Sequence, residues 1–289
     1  MSHSTRHHPL SAWLLALSLA ALPAVSHATH SWGGYHWAST TRPVALMLGD
    51  NMTADWSSYL HQASADWDAG AQDAFTNSVV TGTSNKRCAA VTGTTQVCNG
   101  AYGTNGWLGL ATISITGTHI TKGTARMNDT YFQAATYNNP NEKLHVVCQE
   151  VAHTFGLDHQ SVDGSSLDTC MDYFSNTGAN ATSTLSTQPN AHDFEELDTI
   201  YAHTDSLTTV ATTTTSPGPG RKKLATDDSD DPGNWGRLIS QSAQGRSSTY
   251  ERYNADGSKT LTHVYWTKEA AIACPSCDHR YDRQTPTAH

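Results

Sequence analysis

Apolar positions along the chain alternate between a period of two and a period of three to four, the mark of strands interleaved with helices. Arg42 to Leu48 sets Val44, Leu46 and Leu48 on one side of an extended run that ends at Gly49-Asp50-Asn51, which predicts a first strand. A helix follows, with Thr53 as its cap and Trp56, Tyr59, Leu60, Ala63 and Trp67 as one apolar stripe. Phe75 to Asn128 is β-prone: Val79-Val80 is one candidate strand, and Trp107–Ile113 and His119–Met127 read as a hairpin around Gly117. Lys143 to Phe155 then carries Leu144, Val147, Cys148, Val151 and Phe155 on one face and Val146, Gln149, Glu150 and His153 on another. That pattern predicts a helix with a buried face and a chemical face, ended by Gly156 in the left-handed conformation. A last helix is predicted over Asp193–Tyr201 from Phe194, Leu197, Ile200 and Tyr201.

Past Asp205 the pattern stops. Thr, Pro and Gly dominate, followed by Arg221-Lys222-Lys223 and the acidic run Asp227 to Asp231, so residues 206–232 read as a linker. Beyond it, Ser248–Tyr253 and Thr260–Trp266 flank Asn254-Ala255-Asp256-Gly257, a β-hairpin signal within a small C-terminal module at 233–289. A piece of about sixty residues folds alone only marginally, so this module is expected to lean on the preceding domain or on a disulfide. At the other end, Arg6-His7-His8, the apolar run Leu10–Val25 and Ser26-His27-Ala28 read as a signal peptide at 1–28, cut before Thr29. Export is therefore expected, to the extracellular space or a periplasm, with no membrane span in the mature chain.

Charge narrows the partners. With 15% charged residues and a formal net charge of −9, the chain has no basic field for nucleic acid or an anionic membrane. Six cysteines in an exported chain imply three disulfides, for which fifteen connectivities exist. Cys88 and Cys98 flank a small turn-forming loop and Cys274-Pro-Ser-Cys277 can close a tight ring, which leaves Cys148 with Cys170; a free buried Cys148 thiol is the alternative. Asp227 to Asp231 lacks the spacing of a calcium loop, so a structural Ca2+ has no support.

The chemistry concentrates in Gln149-Glu150-Val151-Ala152-His153-Thr154-Phe155-Gly156-Leu157-Asp158-His159. Ligands four apart on a helix, a helix-breaking glycine and a third ligand from the turn match H-E-x-x-H-x-x-G-x-x-H at every defined position except the first. Cys170-Met171-Asp172-Tyr173 follows at the place of a Met-turn. Together these resemble the metzincin zinc proteases, matrixins in particular, over roughly residues 35–203.

The resemblance implies an α+β fold, with a twisted, mostly parallel sheet carrying an antiparallel edge strand, an active-site helix and a Met-turn in a domain at 29–205. It implies one catalytic Zn2+ on Gln149, His153 and His159, with the amide oxygen of Gln149 standing in for an imidazole. Met171 would form the floor of the site and Tyr173 would stabilise the oxyanion. Glu150 would act as general base on a metal-activated water, so an exported zinc endopeptidase acting on protein or peptide is the expected function, and a monomer is expected. The strand Trp107–Ile113 would hold substrate along a free edge. His145 lies eight positions before His153, about 12 Å along a helix, and reads as a surface or packing residue. A metal-binding pseudoprotease serving as a protein-binding module is the alternative, because the first histidine is missing; the retained Glu150 argues for catalysis.

Overall fold

The computed structural model describes residues 1, 30–83, 88–212 and 231–279, and the predicted signal peptide and most of the predicted linker lie outside them. The strands are β1 (His36–Trp37), β2 (Val44–Asn51), β3 (Phe75–Thr81), β4 (Thr94–Gly100), β5 (Trp107–Thr116), β6 (His119–Asn128), β7 (Arg237–Gln241), β8 (Ser247–Tyr253) and β9 (Lys259–Trp266). The helices are α1 (Ala54–Trp67), α2 (Asp129–Phe132), α3 (Pro140–His153), α4 (Ala191–Ile200) and α5 (Lys268–Ala273). Short 3-10 turns lie at Gly178–Asn180 and Pro232–Asn234.

All nine strands belong to one mixed sheet in the order β3-β2-β4-β6-β5-β9-β8-β7, with β1 pairing β6. β1, β2, β3, β4 and β6 pair parallel with one another, whereas the β6–β5, β5–β9, β9–β8 and β8–β7 pairings are antiparallel. The α+β class expected from sequence is the one observed. The compositional break after Asp205, however, is no break in the sheet. β9 lies along the whole of β5, from Trp107↔Trp266 to Ile115↔Lys259, so the C-terminal segment extends the sheet of the preceding domain.

This pairing also corrects the expected free edge at Trp107–Ile113: β5 is flanked by β6 and β9. Physically, a ten-residue apolar strand with unpaired backbone groups is an aggregation hazard, and β9 satisfies those groups. β9 is buried on both faces. Leu261 and Tyr265 join the main core, while Val264 and Trp266 pack with Trp107, Leu110, Trp235 and Tyr250 in a second cluster.

α1 and α3 pack together against the sheet. Trp56, Leu60, Ala63 and Trp67 of α1 are buried as predicted, although the Thr53 side chain makes no capping bond: its carbonyl accepts from Trp56 and Ser57, and its hydroxyl oxygen accepts from Asn99 instead. α3 begins earlier than the apolar stripe suggests, because Asn139 caps it through the Glu142 amide and Pro140 opens its first turn. Val146, Val147 and Val151 of this helix are fully buried, each contributing roughly 1.5–3 kcal/mol by leaving water. Disulfides join Cys88 to Cys98, Cys148 to Cys170 and Cys274 to Cys277. No described helix is long and apolar enough to cross a membrane.

Candidate metal centre

The end of α3 sets the geometry of the centre. Gly156 takes φ +100°, and a Cβ there would stand 2.1 Å from the Tyr35 carbonyl oxygen, so only glycine fits the turn that carries the chain from His153 to His159. His153 donates from Nδ1 to the Leu157 carbonyl at 2.9 Å, and His159 Nδ1 faces the Asp158 carboxylate at 3.1 Å. Those bonds leave both Nε2 atoms as lone-pair donors, 3.1 Å apart. Two such lone pairs facing each other repel unless a proton or a cation lies between them.

A third imidazole completes the cluster. His263 of β9 brings its ring to 4.0 Å from that of His153 and 4.7 Å from that of His159, centroid to centroid. One ligand atom from each of the three lies within 4.8 Å of the others. The Tyr173 hydroxyl joins the same cluster, 2.8 Å from His159 Nε2 and 3.1 Å from His263 Nε2. Glu150 Oε2 faces His263 Nδ1 at 3.5 Å, while Glu150 Oε1 is buried without a partner. Trp32 stacks on His153 at 4.9 Å, walling one side.

Gln149, the first position of the motif, is turned to the Met-turn. Its amide nitrogen donates to the carbonyls of Cys170 at 2.8 Å and Asp172 at 2.9 Å, and its Oε1 is buried with no partner. Met171 is fully buried in the main core, its amide held by Thr169 Oγ1. His145 is fully buried rather than at the surface, bonded to Asn176 Oδ1 and the Asp172 carbonyl, so it positions the Met-turn from one helical turn before Gln149.

Burial governs the protonation of the centre. It pushes the Glu150 carboxyl well above the usual range and lowers His153 and His263 well below theirs, with the neighbouring imidazoles adding to both histidine shifts. Tyr173 is raised, again chiefly by burial. The outcome is that His153 and His263 are held neutral beside a carboxyl that prefers its proton. Three clustered imidazole nitrogens suit a Zn2+ site, and the unpartnered oxygens of Gln149 and Glu150 are further acceptors beside them. Gly109 of β5 seals the Glu150 side, since a Cβ there would lie 2.4 Å from Glu150 Oε1. Tyr173 also lines a cavity of about 550 Å³ together with Phe174, Arg246 and Lys268.

His263 is the member that the motif does not contain. Its only local sign is that it stands between Leu261 and Tyr265 on the strand face turned to the main core, where a polar residue needs a partner.

No family model matches this chain, and no curated protein matches it. Among solved structures it is similar to high choriolytic enzyme 1, a hatching-enzyme zinc protease of the medaka fish Oryzias latipes, at 9% identity and a TM-score of 0.33. That similarity covers 59% of this chain and 96% of the other. A superposition so slight carries no argument about the chemistry, which rests on the residues themselves.

Proposed function

We propose that this chain is an exported zinc endopeptidase whose centre is closed by its own C-terminal segment. The observation that carries this reading is the convergence of His153, His159 and His263 beside Glu150, at the end of a helix that ends in Gly156. In the closed arrangement the three imidazoles would hold the ion. Zn2+, when bound, supplies Lewis acidity toward a peptide carbonyl and toward water. Glu150 would take a proton from water and return it to the leaving amine, a role its proton affinity suits once water enters. Tyr173, kept neutral by burial, would donate its hydroxyl hydrogen to the developing oxyanion.

β9 occupies the edge of β5 on which an extended peptide would otherwise pair, and Glu150, His153 and His263 are fully buried. Hydrolysis of an external substrate therefore requires β7–β9 to lift away. The unpartnered Oε1 of Gln149 is then the acceptor available to replace His263, which keeps Gln149, His153 and His159 as the ligand set of the open form.

The test compares the intact, zinc-replete chain with the same chain cut in the linker at 206–232, in each case with and without Glu150→Ala. Zinc content and cleavage of an unfolded protein are the readouts. Zinc in all forms, with cleavage appearing on cutting and only with Glu150 present, is the expected result. Zinc without cleavage in either form would favour the pseudoprotease reading, and a folded chain that takes up no zinc would overturn both.

A further inference from the structure

A second cluster of imidazoles shares no residue with the centre above. His36 and His119 are direct partners across the parallel β1–β6 pairing, with ring centroids 5.0 Å apart. The segment after α4 brings His203 to 4.9 Å from the His36 ring and adds Asp205. All three histidines aim Nε2 at one oxygen, Asp205 Oδ1: His36 at 3.3 Å, His119 at 3.1 Å and His203 at 3.6 Å. We propose that His36, His203 and Asp205, whose ligand atoms lie within 4.8 Å of one another, form a second divalent-cation site, of a kind suited to Zn2+, that fastens β1 to the segment after α4.

Hydrogen bonding alone does not account for this arrangement. His36 and His119 lie within hydrogen-bond distance of Asp205 Oδ1, whereas His203 at 3.6 Å stands beyond it and is held by no such bond. His36 has already committed its Nδ1 hydrogen to the Gly34 carbonyl at 2.9 Å, so its neutral form presents Nε2 as a lone pair toward another acceptor. A cation among His36, His203 and Asp205 converts this opposition into coordination, and two imidazoles with one carboxylate leave the fourth place of a tetrahedral zinc site to water. The Gly34 carbonyl then acts as the outer partner that orients a metal-bound imidazole.

Asp205 is also prepared for the role. Its backbone amide donates to the Ser39 carbonyl at 2.8 Å and its Oδ2 accepts from the Ser39 amide at 3.2 Å, which leaves Oδ1 for the histidines. The side chains of His36 and Asp205 are 9% and 11% exposed, a preformed floor, whereas His203 at 53% leaves an entry for the ion.

The test uses the full chain carrying His153→Asn and His159→Asn, so that only the second cluster can bind. After chelation and dialysis, stoichiometric zinc is expected to bind once per chain and raise the melting temperature, and cobalt to give a tetrahedral visible spectrum. Adding His203→Asn, at an exposed position that leaves the fold in place, is expected to weaken binding by at least about 10-fold. Adding Asp205→Asn is expected to abolish the cobalt spectrum. A folded chain with the second cluster intact that binds no zinc, or whose binding His203→Asn leaves unchanged, would overturn the site. Activity of the first centre does not enter either readout.

Discussion

Replacing both Cys148 and Cys170 by alanine opens the crosslink between α3 and the segment that carries Met171. Their Cα atoms lie 5.9 Å apart and the bridge spans 22 positions of sequence. In the chain-entropy treatment, closing a loop of that length restricts the unfolded chain by about 3 kcal/mol at 25 °C. In a folded body of this size each kcal/mol displaces the melting temperature by about 2–4 °C, so a fall of about 6–12 °C is expected. Both cysteines are fully buried, and the space left by the sulfurs adds to the loss.

The two segments nevertheless stay joined. Gln149 Nε2 bonds the Cys170 and Asp172 carbonyls and His145 bonds the Asp172 carbonyl, while Trp67 of α1 separately holds the Cys148 carbonyl of α3 at 3.1 Å. Zinc content is therefore expected to survive while stability falls. Scanning calorimetry of the unreduced wild type and the double variant, with metal analysis and non-reducing peptide maps, tests this. A melting shift under about 3 °C would refute the stability argument, given the usual size of such shifts. Pairing of Cys148 with any other cysteine would refute its premise.

Three further outcomes follow from the centre. Glu150→Ala is expected to abolish hydrolysis by the linker-cut chain without loss of zinc, because in the proposed mechanism Glu150, which faces His263, carries the proton and is not a ligand; metal loss from the folded variant would contradict that role. In a His263→Ala background, Gln149→His is expected to tighten zinc by about 10-fold or more, read by competition with a chelator, and an unchanged Kd would remove Gln149 from contact with the ion. Gly156→Ala is expected to cost at least about 2 kcal/mol in urea unfolding, because alanine resists a positive φ and its Cβ meets the Tyr35 carbonyl; near-wild-type stability would show that the turn relaxes freely.

Much of the centre was legible because it is local. His153, Gly156 and His159 lie within one helix end and one turn, so spacing alone specifies their relation. The body of α3 follows from its apolar stripe and Gly156, although its start at Pro140 lies ahead of that stripe, and the loops closed by Cys88–Cys98 and Cys274–Cys277 are short enough for their ends to meet without help from the rest of the fold. Burial of His145 was not legible, since the residues that satisfy its ring, Asn176 and Asp172, come from a loop about thirty positions away.

What the sequence determined by itself was the motif, the strand and helix periods and the compositional break after Asp205. Tertiary structure decided what that break meant. Alternation in Lys259–Trp266 reports that both faces of the strand are covered, but not by what; pairing with β5 is settled by competition among strands for an unsatisfied backbone edge. That competition carries His263 across 113 positions to Glu150. In the same way, the register of β1 on β6 sets His36 beside His119, and the path of the chain after α4 delivers His203 and Asp205 to them. A histidine's residue type announces that it can bind a metal; only the fold supplies the other ligands, because residues far apart in sequence meet where the sheet and its connections bring them.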